Sequence, residues 1–188
     1  MAEFVNTVDV LGDDAVTDAL IKRSITELTD DVVVSIGRYA FKSCINLTSV
    51  NFLLVKIIDG SAFQYCSKLT TINFPLATDI RSSAFQYCNN LTNADFPLVK
   101  SIDSNAFSFC TKLAALILRS TTMCTLSARF TFDGTPIGSG TGYIYVPRAL
   151  VDSYKAATNW STYAAQFRAL EDYTVDGTIT GELDSTKI

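Results

Sequence analysis

The sequence predicts an α/β solenoid, one chain wound into short coils with a parallel sheet along one face. Three observations predict it. Ala40-Phe41, Ala62-Phe63, Ala84-Phe85 and Ala106-Phe107 recur at a step of 22 residues, and Cys44, Cys66, Cys88 and Cys110 each stand three residues after the Phe. A second set keeps the same step: Leu47, Leu69, Leu91 and Leu113, then Val50, Ile72, Ala94 and Leu116, then Phe52, Phe74, Phe96 and Leu118. On the arm before the Ala-Phe pairs, Val33, Val55, Ala77 and Val99 precede Ile36, Ile58, Ile80 and Ile102. An apolar column that returns once per repeat makes each repeat one coil, because like side chains then land on one another when coils stack.

The elements follow in order. Residues 13–21 carry Asp13 and Asp14 at their start and a Val16/Ala19/Leu20 face, which reads as a helical N-terminal cap. Ile25, Leu28 and Asp30 form an incomplete first rung, one period before Leu47, Val50 and Phe52. Each LxxLxL run places a short strand, so the coils share a parallel ladder with rungs ~4.8 Å apart. Pro75 and Pro97 follow the strands, where a missing N–H and a fixed φ suit a chain leaving the ladder. The Ala-Phe-x-x-Cys segment, flanked by Ser, Asn and Asp, reads as a helical turn sending Ala, Phe and Cys inward from the opposite wall.

Past Leu118, Cys124 falls in the Ile column and Ala128 in the Ala column, and register is expected to fail in the glycine-rich stretch 133–142. Tyr143 to Val146 reads as a final edge strand, followed by a helix over 148–157 with Pro147 at its start. A second helix over 161–170 is expected to close the core with Tyr163, Phe167 and Leu170. The polar tail 174–188 is expected to be mobile or engaged elsewhere. The chain thus reads as one repeat domain: 1–24 cap, 25–118 repeats, 119–146 degenerate last coil and edge strand, 147–173 helical cap, 174–188 tail.

Composition narrows the function classes. A formal charge of −4 and a pI near 4.7, with no Lys/Arg run, supply no footprint for nucleic acid or anionic lipid. No stretch approaches the ~20 apolar residues of a membrane span. Met1 to Val10 carries Glu3 and Asp9 without an apolar run, so no signal peptide is read there. Histidine is absent, which removes the commonest general base and transition-metal ligand. The acidic pairs Asp13/Asp14, Asp30/Asp31 and Glu171/Asp172 are sequence neighbours whose side chains diverge, so no catalytic residue, metal site or cofactor is expected.

The pattern of Ile, then Ala-Phe-x-x-Cys, then LxxLxF with a following Pro resembles the BspA-like, or treponemal-type, leucine-rich-repeat family from about Ile25 to Leu118. The segment 142–170, with Tyr143-Ile144-Tyr145-Val146-Pro147 and Asn159-Trp160, looks like the capping piece of such proteins. The asparagine ladder of other leucine-rich repeats is missing, and Val55, Ala77 and Val99 stand in its place. The resemblance implies a short right-handed leucine-rich-repeat coil with helical caps. It further implies a secreted or surface-displayed protein that binds matrix, cells or glycans, or a component of a phage-like element.

Candidate sites are few. Strand positions pointing away from the core carry Thr48, Ser49 and Asn51, then Thr70, Thr71 and Asn73, then Thr92, Asn93 and Asp95. Short hydroxyls and amides on a rigid sheet can meet a glycan or a polar protein segment at little ordering cost. They equally keep a solvent-facing strand soluble, and Thr is favoured on sheets in any case. Ala114, Ala115 and Ile117 are expected beneath the C-terminal cap. Tyr65, Tyr87 and Phe109 form an aromatic column that reads either as an interface for another copy or as local packing. The periodic cysteines read as small core residues rather than as disulfides or metal ligands. The leading function is a non-enzymatic binding module of adhesin type for a protein or carbohydrate partner. The alternative is a self-associating assembly protein.

Overall fold

The computed structural model describes residues 10–14, 19–175 and 178–179. In chain order the elements are β1 (Val10–Leu11), α1 (Ala19–Ser24), β2 (Glu27–Asp30), β3 (Ser35–Ile36), β4 (Ser49–Phe52) and β5 (Ile57–Ile58). There follow β6 (Thr71–Asn73), β7 (Asp79–Ile80), β8 (Asn93–Phe96), β9 (Ser101–Ile102), β10 (Ala115–Leu118) and β11 (Thr125–Leu126). The end of the chain holds α2 (Pro136–Ser139), β12 (Tyr143–Val146), α3 (Val151–Ala156) and β13 (Phe167–Ala169), then the antiparallel pair β14 (Thr174–Val175) and β15 (Thr178–Ile179). Of the expected N-terminal cap, Val16 lies outside the described residues, as does most of the tail.

The coil has two parallel walls where the sequence pointed to one. The Ile column builds a continuous six-stranded wall in the order β1-β3-β5-β7-β9-β11. The LxxLxL column builds the other wall in two pieces, β2-β4-β6 and β8-β10-β12-β13. Within the regular coils the ladder partners are 22 residues apart, as in Ile36↔Ile58 and Val50↔Ile72. Between β6 and β8 the ladder stops. Thr48 N–H donates to Thr26 C=O at 2.7 Å and Thr70 N–H to Thr48 C=O at 2.9 Å, but the corresponding bond from Thr92 to Thr70 is missing. Ile72, expected in the core, is only half-buried there, and small Ala94 succeeds it in the column.

The Ala-Phe-x-x-Cys wall is a run of tight turns and not a helical turn. Ser61, Ser83 and Asn105, and again Tyr65, Tyr87 and Phe109, adopt φ between 57° and 64°. These left-handed residues turn alternate N–H groups toward the next coil, so Phe41 N–H meets Ala62 C=O and Phe63 N–H meets Ala84 C=O, both at 2.8 Å. The intervening N–H groups close turns within the coil, as Cys66 does on Phe63 at 3.1 Å. Every backbone donor in the turn thus has a direction to go. The column of Phe41, Phe63, Phe85 and Phe107 stacks at 5.4 to 5.5 Å between ring centroids, tilted against the Phe52, Phe74 and Phe96 row. The cysteines are free and buried, and the Cys66, Cys88 and Cys110 thiols each donate to the Phe carbonyl of the preceding coil at 3.0 to 3.2 Å.

The last coil keeps its register, contrary to the sequence expectation. Leu126, not Cys124, pairs with Ile102, and Phe132 stacks on Phe107 at 5.8 Å. Thr131 C=O accepts from Phe107 N–H as Ala106 C=O does from Phe85, so Thr131-Phe132 replaces the expected Ala128 site. Two residues inserted between Leu118 and Leu126, and one more between Leu126 and Thr131, displace the motif without destroying it. β12 is likewise not an edge: it lies between β10 and β13. The expected helix over 161–170 is instead a 3-10 stretch, Trp160–Gln166, leading into β13, because the chain uses Phe167 to Ala169 to pair with β12. The cap's helical part is a 3-10 turn at Arg148–Leu150 and the short α3.

Candidate interaction surface

The outward strand face is polar across its first three full rungs and closed at the fourth. Ala115 and Ile117 are buried with Tyr145, and Tyr143, Leu170 and Tyr173 pack over them, whereas Ala114 is exposed. That end of the face is therefore occupied by the chain itself. On the open rungs Thr48 Oγ1 donates to Thr26 C=O at 2.9 Å and Thr70 Oγ1 to Thr48 C=O at 3.0 Å. Asn73 Nδ2 donates to Asn51 Oδ1 at 2.6 Å, and Asp95 receives Arg119 through Nε and Nη2 at 2.7 to 3.0 Å. Thr71, Thr92 and Asn93 are exposed, and no hydrogen bond engages their side chains. The exposed groups left available thus gather at β6 and β8, on either side of the break in the ladder, and half-buried Ser49 on β4 is also unbonded.

A feature missed in the sequence adjoins this face. Directly after each strand the chain turns a corner bearing Val32, Leu53-Leu54, Pro75-Leu76 and Pro97-Leu98 in successive coils. Val32, Leu53, Leu54 and Leu98 are each 40% to 46% exposed. The signal was available: Val32, Leu54, Leu76 and Leu98 share the step of the core columns, and Leu53-Leu54-Val55 holds more apolar residues than the wall can bury. Leu76, between Leu54 and Leu98 in this column, is half-buried.

On the opposite corner Tyr65 and Tyr87 stack at 4.7 Å, and Tyr87 and Phe109 at 4.9 Å, with interplanar angles of 8° and 4°. Stacking consumes the ring faces and leaves the edges outward, with Tyr65 43% and Phe109 42% exposed. The column ends at Gly134, which takes the left-handed position at φ +69°, and a Cβ there would lie 2.7 Å from Phe109 Cδ1. Among the described residues no group of three or more His, Cys, Asp or Glu is placed to hold a metal ion. No helix among them is long and apolar enough to cross a membrane.

Electrostatics add little to the face. Asp79, on the outer side of the six-stranded wall, feels an upward push from burial. Hydroxyl donation from Thr78 and Ser101, with Arg81 and Lys100 nearby, outweighs it and holds the carboxyl below its ordinary range. Burial pushes the Cys66 and Cys88 thiols well up, which keeps them neutral core groups.

The comparisons with known proteins match the architecture. A crystal structure of a leucine-rich repeat protein from Bacteroides ovatus ATCC 8483 is similar, with a TM-score of 0.63 and 22% identity over 89% of this chain and 47% of that one. At that identity the likeness is one of fold, and the chain spans about half the length of that protein. No curated protein matches. A family model for the BspA type leucine-rich repeat region matches residues 22–139 in 6 copies. With its repeat register, its parallel walls and this match over most of its length, the chain belongs to the BspA-type leucine-rich-repeat family.

Proposed function

We propose that the chain is a non-catalytic binding module of adhesin type, which recognises a protein or glycan partner on the strand face around β6 and β8. The observation that carries this reading is one wall that offers both kinds of group. Uncommitted neutral side chains, Thr71, Thr92 and Asn93, stand at the starts of its strands, and an exposed aliphatic corner at Leu54 and Leu98 follows their ends. Polar groups fixed on a sheet lose little freedom on binding, and the apolar corner supplies area to remove from water. Asn73 bonds to Asn51, Thr48 and Thr70 donate to backbone carbonyls of the preceding coil, and Asp95 accepts from Arg119, so these groups hold the face in shape. Binding of the purified chain to a glycan and matrix-protein array tests the reading, with Thr71→Lys and Leu54→Asp as matched variants. Specific binding that either variant weakens at least about tenfold supports it. Binding that neither variant changes overturns it.

A second reading, self-association through Tyr65, Tyr87 and Phe109, is favoured by the exposed ring edges of that stack. Sedimentation of the chain and of Tyr65→Ser/Tyr87→Ser separates the two. A concentration-dependent oligomer lost in the double variant supports assembly, and a monomer in both counts against it.

A further inference from the structure

The six-stranded wall ends at β11, and side chains of the cap replace the strand that a further coil would supply. Pairing with β9 engages the Thr125 backbone and turns the backbone groups of Cys124 and Leu126 outward. The Tyr154 hydroxyl accepts from Cys124 N–H at 2.7 Å, Trp160 Nε1 donates to Cys124 C=O at 2.8 Å, and Asn159 Nδ2 donates to Leu126 C=O at 2.8 Å. The Leu126 N–H has no such bond. Three separated side chains fill less space than a strand. A cleft of about 310 Å³ remains, walled by Met123, Cys124, Leu126, Ala157, Thr158 and Trp160.

The chemistry of this cleft is uniform. No Lys, Arg, Asp or Glu lines it. A charged guest would therefore lose its hydration without gaining a countercharge. Burial pushes the Cys124 thiol up to about 12, so that wall is neutral as well. The volume is roughly twice that of an apolar cavity that accepts benzene, and it falls at the lower end of the ~300–1,000 Å³ range of small-molecule sites. Trp160, 1% exposed and already packed against Phe132, Tyr154 and Phe167, closes the floor of the cleft, and the half-buried Met123 thioether favours an aromatic neighbour. We propose that the cleft binds a compact neutral aromatic molecule of one or two rings, with an acceptor atom directed at the Leu126 N–H. The site is separate from the strand face, and it belongs to the end of the solenoid rather than to its repeats.

Two built-in reporters make the test direct, since the chain contains 2 methionines and 1 tryptophan. The full chain, labelled with methyl-13C methionine, is titrated with 4-bromophenol. The expected result is a saturable ring-current shift of the Met123 methyl with the Met1 methyl unmoved. Heavy-atom quenching of Trp160 fluorescence should saturate with the same dissociation constant. Ala157→Leu, which fills the cleft from its half-buried edge, should weaken both responses at least about tenfold. Sodium 4-bromobenzoate, the same ring carrying a charge, should bind the unaltered chain at least about tenfold more weakly, a comparison that does not depend on the variant folding. A Met123 methyl that does not move, quenching that rises linearly without saturating, or equal binding of the phenol and the benzoate would overturn the proposal.

Discussion

In the regular coils of the six-stranded wall each outward backbone group meets its counterpart one repeat away: Lys56 N–H reaches Val34 C=O at 2.9 Å, and Thr78 N–H reaches Lys56 C=O at 2.8 Å. At the C-terminal end the same groups of Cys124 and Leu126 meet Tyr154, Trp160 and Asn159 side chains instead. The difference teaches where sequence is constrained. A backbone ladder is indifferent to what stands outside it, so the outer positions of a coil are free to change while the inner columns are not. The cap has no ladder to lean on, and it depends on particular donors and acceptors at particular places. Tyr163 adds to this set by donating to the Arg129 carbonyl.

The comparison breaks most easily at a buried ring. Phe85 stacks between Phe63 and Phe107 and is tilted against Phe74 and Phe96. Phe85→Ala is expected to cost about 3–5 kcal/mol, measured by denaturant unfolding. A loss no greater than that of Tyr154→Phe would show that the coils are not the stronger region. Tyr154→Phe removes only the oxygen that accepts from Cys124 N–H, and leaving that buried donor unpaired is expected to cost about 1–3 kcal/mol. Hydrogen exchange should then quicken at β11 before β7, because opening begins where side chains hold the outer edge of the ladder.

Gly134→Ala sharpens the same boundary from the turn side. Its Cβ would press into the Phe109 ring while the backbone stays in the left-handed region, for an expected loss of about 1–3 kcal/mol. Alkaline titration probes the buried tyrosines without mutation. Burial raises Tyr145, Tyr154 and Tyr163 from 10.0 to about 12. Their neutral forms are favoured by the fold, so the stability they contribute is complete below pH 10 and is lost as pH rises through 12. The cap is therefore expected to loosen in that window, seen as loss of Trp160 fluorescence shielding, and the raised Cys66 and Cys88 thiols act in the same direction on the repeats. The smallest effect is expected at Asp79. Its carboxyl is held below the ordinary 3.8, so its contribution is present above that value and is lost as pH falls below it. Asp79→Asn should cost no more than about 0.5 kcal/mol at neutral pH after solvent screening, and less as pH falls below 3.8.

What the sequence made legible follows from what was buried. The Phe, Cys, Leu and Ile columns could be read because each lies inside and recurs unchanged, and the family resemblance rests on those same residues. The second wall was invisible because its strands, such as Ser35–Ile36 and Asp79–Ile80, are two residues long and leave no alternation to detect. The turns were misread because their left-handed positions are held by Ser, Asn, Tyr and Phe rather than by glycine. The last coil was misaligned because its insertion shifts Leu126 and Phe132 out of the constant step. On the strand face the residue types were legible but their commitments were not, since only the structure shows Thr48, Thr70 and Asn73 spent on neighbours and Thr71, Thr92 and Asn93 free.

The interruption between β6 and β8 also gives the molecule a preferred way to deform. Under a pull along the solenoid axis, the strand wall can part at that rung without breaking a ladder hydrogen bond, while the Asp79↔Ser101 ladder behind it must break bonds to lengthen. The coil should therefore yield by bending open toward its polar face, as a one-sided hinge. A partner lying across β6 and β8 would stiffen it, and tension would loosen that partner's hold.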